Sequence, residues 1–305
     1  MREADARHGL PRSLYGLVAA MAFFWGMNWP ILKVTLAEWD PMRFRSFCLA
    51  VAAVGLFAIA RATGERLAVP RGMWPRLLWI TLFNNVGWNV LGVYGIPMMD
   101  SGRAAILGYT FPVWSVLITL LVLRQRIDPL RLFGVALGLC GMLLLLGDDV
   151  LVVGRAPLGT LLMLGAALSW AIGTVLISRY PVGLPLTAFA AWQTLLSWGL
   201  VTVLSLIFEQ GPFHPFHLSP WAQFGAWYNG LVSFIFCFWA WTKISSQAPP
   251  TVSSMATLMN PVIGVFSGML ILGERPQWKE YLALALVVLA MATVLRPRRA
   301  AQSEA

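Results

Sequence analysis

Ten stretches free of Asp, Glu, Lys and Arg divide the chain: 13–32, 46–60, 77–99, 104–123, 132–147, 156–178, 180–208, 210–242, 244–273 and 281–295. Within them apolar side chains follow one another without the strict alternation of a half-buried strand. A helix needs about 20 mostly apolar residues to cross a bilayer, and flanking cations can reach back to the interface. The pattern therefore predicts ten transmembrane helices. Stretch 210–242 opens with Gly211-Pro212, His214-Pro215 and Ser219-Pro220, which read as a loop, so its helix is expected to begin near Ser219. Stretch 46–60 becomes long enough if its helix begins near Pro41, with Arg43 and Arg45 snorkelling to the interface. Runs of this length exceed the roughly 9–11 residues of a membrane barrel strand, so helices must satisfy the backbone. The connecting segments are short and leave no room for a soluble domain, and the first run does not read as a cleaved leader. The fold class is an all-α integral membrane protein.

Composition agrees. Of 305 residues, 58% are apolar and 11% charged, against about a quarter charged in a soluble domain. Disordered, collagen-like and disulfide-scaffold classes are excluded, and a soluble enzyme nearly so. Cys48, Cys140 and Cys237 lie far apart in apolar runs with no metal-ligand spacing and read as packing residues. The net charge of +9 matters through its distribution. With the N-terminus inside, the inner segments hold Arg2, Arg7, Arg12, Arg61, Arg66, Arg71, Arg76, Arg124, Arg126, Arg131, Arg179, Lys243, Arg296, Arg298 and Arg299. The outer ones hold only Lys33, Arg43, Arg45, Arg103, Arg155, Arg275 and Lys279. This bias puts both tails, 1–12 and 297–305, in the cytoplasm. The basic charge is an insertion signal, and no nucleic-acid partner is expected.

The second half echoes the first. Phe23-Phe24-Trp25-Gly26 in the first run matches Leu168-Ser169-Trp170-Ala171 in the sixth. Phe111-Pro112 in the fourth matches Asn260-Pro261 in the ninth, and a polar turn follows each, Arg124-Gln125-Arg126 and Gly273-Glu274-Arg275. Tryptophan and proline are 87 residues apart in one half and 91 in the other. Five helices per unit is an odd number, so units 13–147 and 156–296 are expected to cross the membrane in opposite senses. Such inverted repeats belong to secondary transporters, with the substrate held near the midplane.

On Trp25-Gly26, Trp170-Ala171, Pro112, Pro261 and Gly273-Glu274-Arg275, the chain resembles the EamA-type drug/metabolite transporters over about residues 14–296. Through Tyr109 to Pro112 and Trp170 to Tyr180 it is further similar to YddG-type aromatic amino-acid exporters. The family's Gly-Glu-Arg turn is intact in the second half only, so a glutamate role at the first-half turn is not carried over. The resemblance implies two five-helix units in a bacterial inner membrane and export of amino acids, aromatic or otherwise neutral.

Chemistry at depth is sparse. No acidic residue lies inside a predicted helix core, and His8, His214 and His217 fall in a tail and a proline-rich loop. Catalysis has little support, and neither a metal nor a cofactor is expected. Proton coupling usually needs a titratable group in the membrane, so flux is expected to follow the substrate's own gradient or a proton carried with it. The polar groups at depth are amides and hydroxyls. Asn85, Trp88 and Asn89 share a face in the third run, Asn229 and Ser233 in the eighth, and Ser253, Thr257 and Asn260 in the ninth. Trp25 and Asn28 stand together in the first, Trp170 and Thr174 in the sixth, and Tyr109 precedes Pro112 in the fourth. Each amide alone reads as readily as helix–helix glue; their convergence reads as an uncharged, aromatic-walled cavity suited to amino acids and poorly suited to polyanions. Trp39, Trp74, Trp221 and Trp278 sit near helix ends and read as interfacial belts. Pro30, Pro112 and Pro261 are expected to interrupt helices and serve as hinges. The fifth and tenth runs are expected to be peripheral, and Gly134, Gly138 and Gly141 form a close-packing face, for contacts within the chain or for self-association. A multidrug or quaternary-cation exporter, a channel and a non-transporting receptor or scaffold stay open as other functions.

Overall fold

Hydrocarbon offers backbone groups no hydrogen-bond partner, so the apolar runs close their bonds internally as helices. The computed structural model describes residues 12–125, 127–148, 158–210, 218–247 and 250–295. The two tails, the loop carrying His214 and His217, and the side chain of Ser253 lie outside the described residues. Helices α1 (Arg12–Leu36) and α2 (Pro41–Ala62) are followed by α3 (Trp74–Thr81) and α4 (Trp88–Gly95), which a π-helical stretch, Leu82–Gly87, joins into one rod. Next come α5 (Ser101–Gly108), α6 (Phe111–Leu121), α7 (Pro129–Asp148), α8 (Leu158–Arg179) and α9 (Leu186–Phe208). A second rod joins α10 (Pro220–Trp227) to α11 (Cys237–Gln247) through the π-helical stretch Tyr228–Phe236, and α12 (Pro250–Leu272) and α13 (Trp278–Val294) complete the bundle. Among the described residues there is no strand. Among the described residues six helical segments are long and apolar enough to span a membrane: 14–36, 41–62, 101–121, 129–147, 158–179 and 186–208.

The bundle is apolar outside as well as inside. Leu270 is 86% exposed and Leu206 76% exposed, a surface that water would not tolerate and lipid requires. Trp74, Trp221 and Trp278 are exposed, as a belt demands, but Trp39 is buried and packs on Phe44 and Phe47 at 5.6 and 5.4 Å.

Helix pairing crosses the two halves of the chain. Helix α2 packs along α9, α7 along α13, and α1 along α12. The α3–α4 rod lies on α8, and the α10–α11 rod lies on α1. Small residues permit this closeness. Gly134 meets Thr293 and the Ala290 carbonyl, Gly138 meets Val113, and Gly141 meets Val287. The glycine face of α7 is thus used within the chain, against α13 and α6. Gly173 comes nearest to another segment's backbone: a Cβ there would stand 2.5 Å from the backbone N and Cα of Asn84, in the first π-helical stretch. Backbone in a packed rod cannot yield, so Gly173→Ala is expected to destabilise by about 3 kcal/mol, the upper end of overpacking costs. A lowered melting temperature in detergent checks this.

Only one of the three prolines marks a break. The regular α-helix is interrupted by a tight turn at Tyr109 and Thr110, between α5 and α6, just before Pro112, with i−3 bonds from Thr110 to Leu107 and from Val113 to Thr110. Pro30 and Pro261 lie inside α1 and α12, which continue past them.

Candidate functional site

The break between α5 and α6 sits at the bundle centre and turns Tyr109 and Phe111 toward neighbouring helices. Rings from four elements meet there. Trp88 is edge-on to Trp170 with centroids 5.4 Å apart, Trp170 is 6.2 Å from Phe111, Phe111 is 6.2 Å from Tyr109, and Tyr109 is 6.1 Å from Trp29. Gly108 makes the convergence possible, because a Cβ there would come within 2.8 Å of Trp29 and 3.2 Å of Trp88. Edge-to-face rings of this kind attract beyond their buried area, and their faces remain able to stack on a flat or cationic solute.

Polar groups border this seam. The Trp170 carbonyl accepts from the Thr174 hydroxyl at 2.9 Å and the Asn84 amide at 3.3 Å. Asn260, on α12, lies against the Tyr109 hydroxyl, yet neither atom of its fully buried amide makes a well-formed hydrogen bond. Asn28 Oδ1 is likewise buried without a partner. An unpaired buried amide costs about 1–3 kcal/mol, and such orphans call for an explanation. Thr257 stands half-buried one turn before Asn260. Asn85 and Asn89 bond to each other instead, Nδ2 of Asn89 donating to Asn85 Oδ1 at 2.6 Å. Trp25 and Ser233 meet in a second cluster, the indole N–H donating to the Ser233 carbonyl at 3.1 Å. Asn229 there accepts from Arg45 at 3.5 Å.

Arg45 corrects a sequence expectation. It does not snorkel outward with Arg43; it is only 5% exposed and turns inward between the rings of Phe44 and Phe234, 5.4 and 5.5 Å from their centroids. The interior is therefore not uncharged. Trp29, Phe111, Asn84 and Arg45 are all interior residues missing from the sequence-based set. Signals pointed to two of them: Trp29 repeats Trp25 one turn on, and Asn84 precedes Asn229 by the same 145 residues that separate Trp25 from Trp170; nothing in the sequence marked Phe111 or Arg45 as a member of the site.

The two ends of the bundle differ. At one end Glu274 accepts from Lys33 Nζ at 2.9 Å, from Ser101 N and Oγ at 2.8 Å each, and from Gly102 N at 3.3 Å. Burial pushes the Glu274 carboxyl up, but the bonds from Lys33 and Ser101 outweigh it and hold its pKa below the ordinary 4.5. Glu209 caps the start of α2 through Met42 N and Arg43 N, both at 2.8 Å, and accepts from the Tyr94 hydroxyl at 3.1 Å. Glu38 accepts from Ser219 N and Oγ at 2.9 and 2.6 Å. Each of these bonds ties the first half of the chain to the second. At the other end a cavity of about 220 Å³ runs from Phe111 and Thr174 at the seam to Arg131 and Leu295 at the helix ends. That is below the roughly 300–1,000 Å³ of drug-sized pockets.

A bundle that is all-helical among the described residues and carries an apolar outer surface is a multi-pass membrane protein. The sequence profile of the EamA-like transporter family matches it twice, over residues 12–147 and 157–296, and the chain belongs to that family. It is similar to the "Uncharacterized transporter YoaV" of Bacillus subtilis, 28% identical over 85% of this chain and 88% of that one. The "Uncharacterized inner membrane transporter YedA" of Escherichia coli is 26% identical over 92% and 90%. A "S-adenosylmethionine/S-adenosylhomocysteine transporter" of Chlamydia trachomatis is 25% identical over 85% and 81%. A solved crystal structure 19% identical to this chain superposes with a TM-score of 0.66, covering 93% of this chain and 96% of its own, a likeness of fold. The protein is a multi-pass membrane transporter.

Proposed function

We propose that the protein exports small amphipathic amino acids, aromatic or neutral, from a bacterial cytoplasm by alternating access. The two matched stretches act as inverted units, 13–147 and 156–296, that rock about the aromatic seam. The carrying observation is the seam of Trp29, Trp88, Tyr109, Phe111 and Trp170 with the orphan amide of Asn260 beside it. Rings take an apolar side chain, and an amide without a well-formed partner in the chain gains one from a bound ammonium or carboxylate. The arginine and lysine bias supports a stitched end outside and a recessed cavity open to the cytoplasm, as loading for export requires. Trp25, Asn28, Asn85, Trp88, Asn89, Tyr109, Trp170, Thr174, Asn229, Ser233, Thr257 and Asn260 remain the residues proposed to face the substrate path, with the break at Pro112 as the hinge.

The test is efflux of a radiolabelled amino-acid panel from vesicles holding the purified protein. Phenylalanine or tryptophan leaving at a rate at least about tenfold above empty vesicles is the expected result. Absence of flux for every amino acid overturns the reading. The Chlamydia relative's name makes S-adenosylmethionine the second candidate; the cavity of about 220 Å³ favours the smaller solute. Competition between the two in the same assay ranks them.

A further inference from the structure

We infer that the Arg45 guanidinium is the binding point for the carboxylate of the solute. This rests on the reading of the seam as a solute path and names the group that the seam itself leaves unmatched. Arg45 is the fifth residue of α2, about 6 Å along the helix from Pro41. Its neighbours hold the backbone still: Glu209 caps Met42 and Arg43, and Ser46 bonds Thr202 of α9 at 2.6 Å. From that fixed base the side chain reaches across to the second π-helical stretch, which belongs to the other half of the chain. π-Helical turns occur mostly where function requires a displaced backbone.

The guanidinium is left short of partners. Its Nε is buried without one, and Nη1 donates only the long 3.5 Å bond to Asn229. The ion pairs seen among the described residues place no carboxylate against it. Two phenyl faces offset part of the desolvation, but an arginine kept only for packing would lose less if it were methionine or glutamine. Ionisable groups in membrane interiors are kept for function by default. The planar fork matches a carboxylate through two parallel bonds. One guanidinium fork matches a single negative charge better than a phosphate dianion.

Aromatic rings connect this point to the seam. Phe234 stacks on Phe238 at 6.1 Å and 3°, and Phe238 is edge-on to Trp25 at 5.8 Å. Trp25 lies one turn from Trp29 on α1. Arg45 on α2 and Asn229 opposite it belong to different halves, so parting the stitched end exposes the guanidinium to a solute moving along that line.

The experiment titrates purified protein in nanodiscs, followed by tryptophan fluorescence, with three probes: phenylalanine, 3-phenylpropionate and phenethylamine. The wild type is expected to prefer the two carboxylates. Arg45→Met is expected to weaken both by about tenfold or more, the worth of a charge-assisted pair, and to leave phenethylamine within about twofold. Arg45→Lys is expected to fall between, because the charge remains without the fork. Removing an unpaired buried cation should keep or raise the melting temperature; if the methionine variant does not fold, Arg45→Lys and the wild-type preference carry the test. Equal wild-type affinity for phenethylamine and 3-phenylpropionate, or a loss of all three probes in proportion, overturns the assignment. Carboxylate binding that depends on Arg45 without amino-acid flux keeps Arg45 and sinks the amino-acid reading. Phenylalanine efflux unchanged in Arg45→Met does the reverse, and a wild type blind to all three probes overturns both.

Discussion

Trp170→Ala is expected to cut amino-acid efflux by at least about tenfold while the protein still inserts and folds. Trp170 is the ring that both Trp88 and Phe111 touch, so its loss opens the seam on two sides. Burying a large side chain and losing it costs about 3–5 kcal/mol in a soluble core. Here the indole is half-buried, so part of that cost falls on solute binding and the rest on stability. Its carbonyl still accepts from Thr174 and Asn84, which keeps α8 on the first rod. Trp170→Phe retains a ring and is expected to keep much of the flux. Efflux from vesicles, normalised to folded protein, makes the comparison. Equal rates for the alanine variant and the wild type would move the solute path away from the seam.

Glu274→Gln is expected to unlock the stitched end. The carboxylate gathers Lys33, Ser101 and Gly102 from the first half of the chain onto the loop before α13. It is 7% exposed and Lys33 27% exposed; with the Glu274 charge gone, Lys33 keeps its 3.2 Å pair with the half-exposed Asp100, so the expected cost is about 2 kcal/mol, that of a hydrogen bond to a charged group. Cys48 is a built-in reporter: it is fully buried between α2 and α10, its Sγ facing the Ala226 carbonyl at 3.7 Å. With Cys140 and Cys237 replaced by alanine, the glutamine variant is expected to label at Cys48 at least about tenfold faster with a membrane-impermeant maleimide. Acid should imitate the substitution. The folded carboxyl titrates below the ordinary 4.5, so its contribution is complete above that value and falls away as pH drops through the depressed one. Melting temperature should decline below pH 4.5 in the wild type, with that part of the decline missing in Glu274→Gln. Identical acid profiles would show that the latch carries no stability.

Much of the fold was legible because membrane insertion is read locally. A run such as 186–208 holds no charge over a span's length, and no other part of the chain is needed to make it a helix. The echo of Trp25 in Trp170 and Pro112 in Pro261 was visible for the same reason, and the family profile falls on the same two stretches. Trp88 and Trp170 were legible too, since a tryptophan at mid-span cannot serve a belt, and Tyr109 by its place just before Pro112.

What a polar side chain does there depends on what other helices bring to it. Arg45 read as an interfacial cation because its helix position permits snorkelling; only the placement of Phe234 and Asn229 from the second half turns it inward. Asn85 and Asn89 carry the same amide as Asn260, yet Asn89 Nδ2 donates to Asn85 Oδ1 and leaves the Asn89 oxygen without a partner, whereas neither amide atom of Asn260 makes a well-formed bond. The glycines of α7 announced a close contact, and only the arrival of α13 and Val113 named the partner. Apolarity and period thus determined which segments are helices and that they belong in lipid, because those are properties of a stretch taken alone. Which amides stay hungry, where the cation points and which end is sewn shut were decided by the tertiary structure, because hydrogen bonds and ion pairs are properties of two groups that chain sequence keeps far apart.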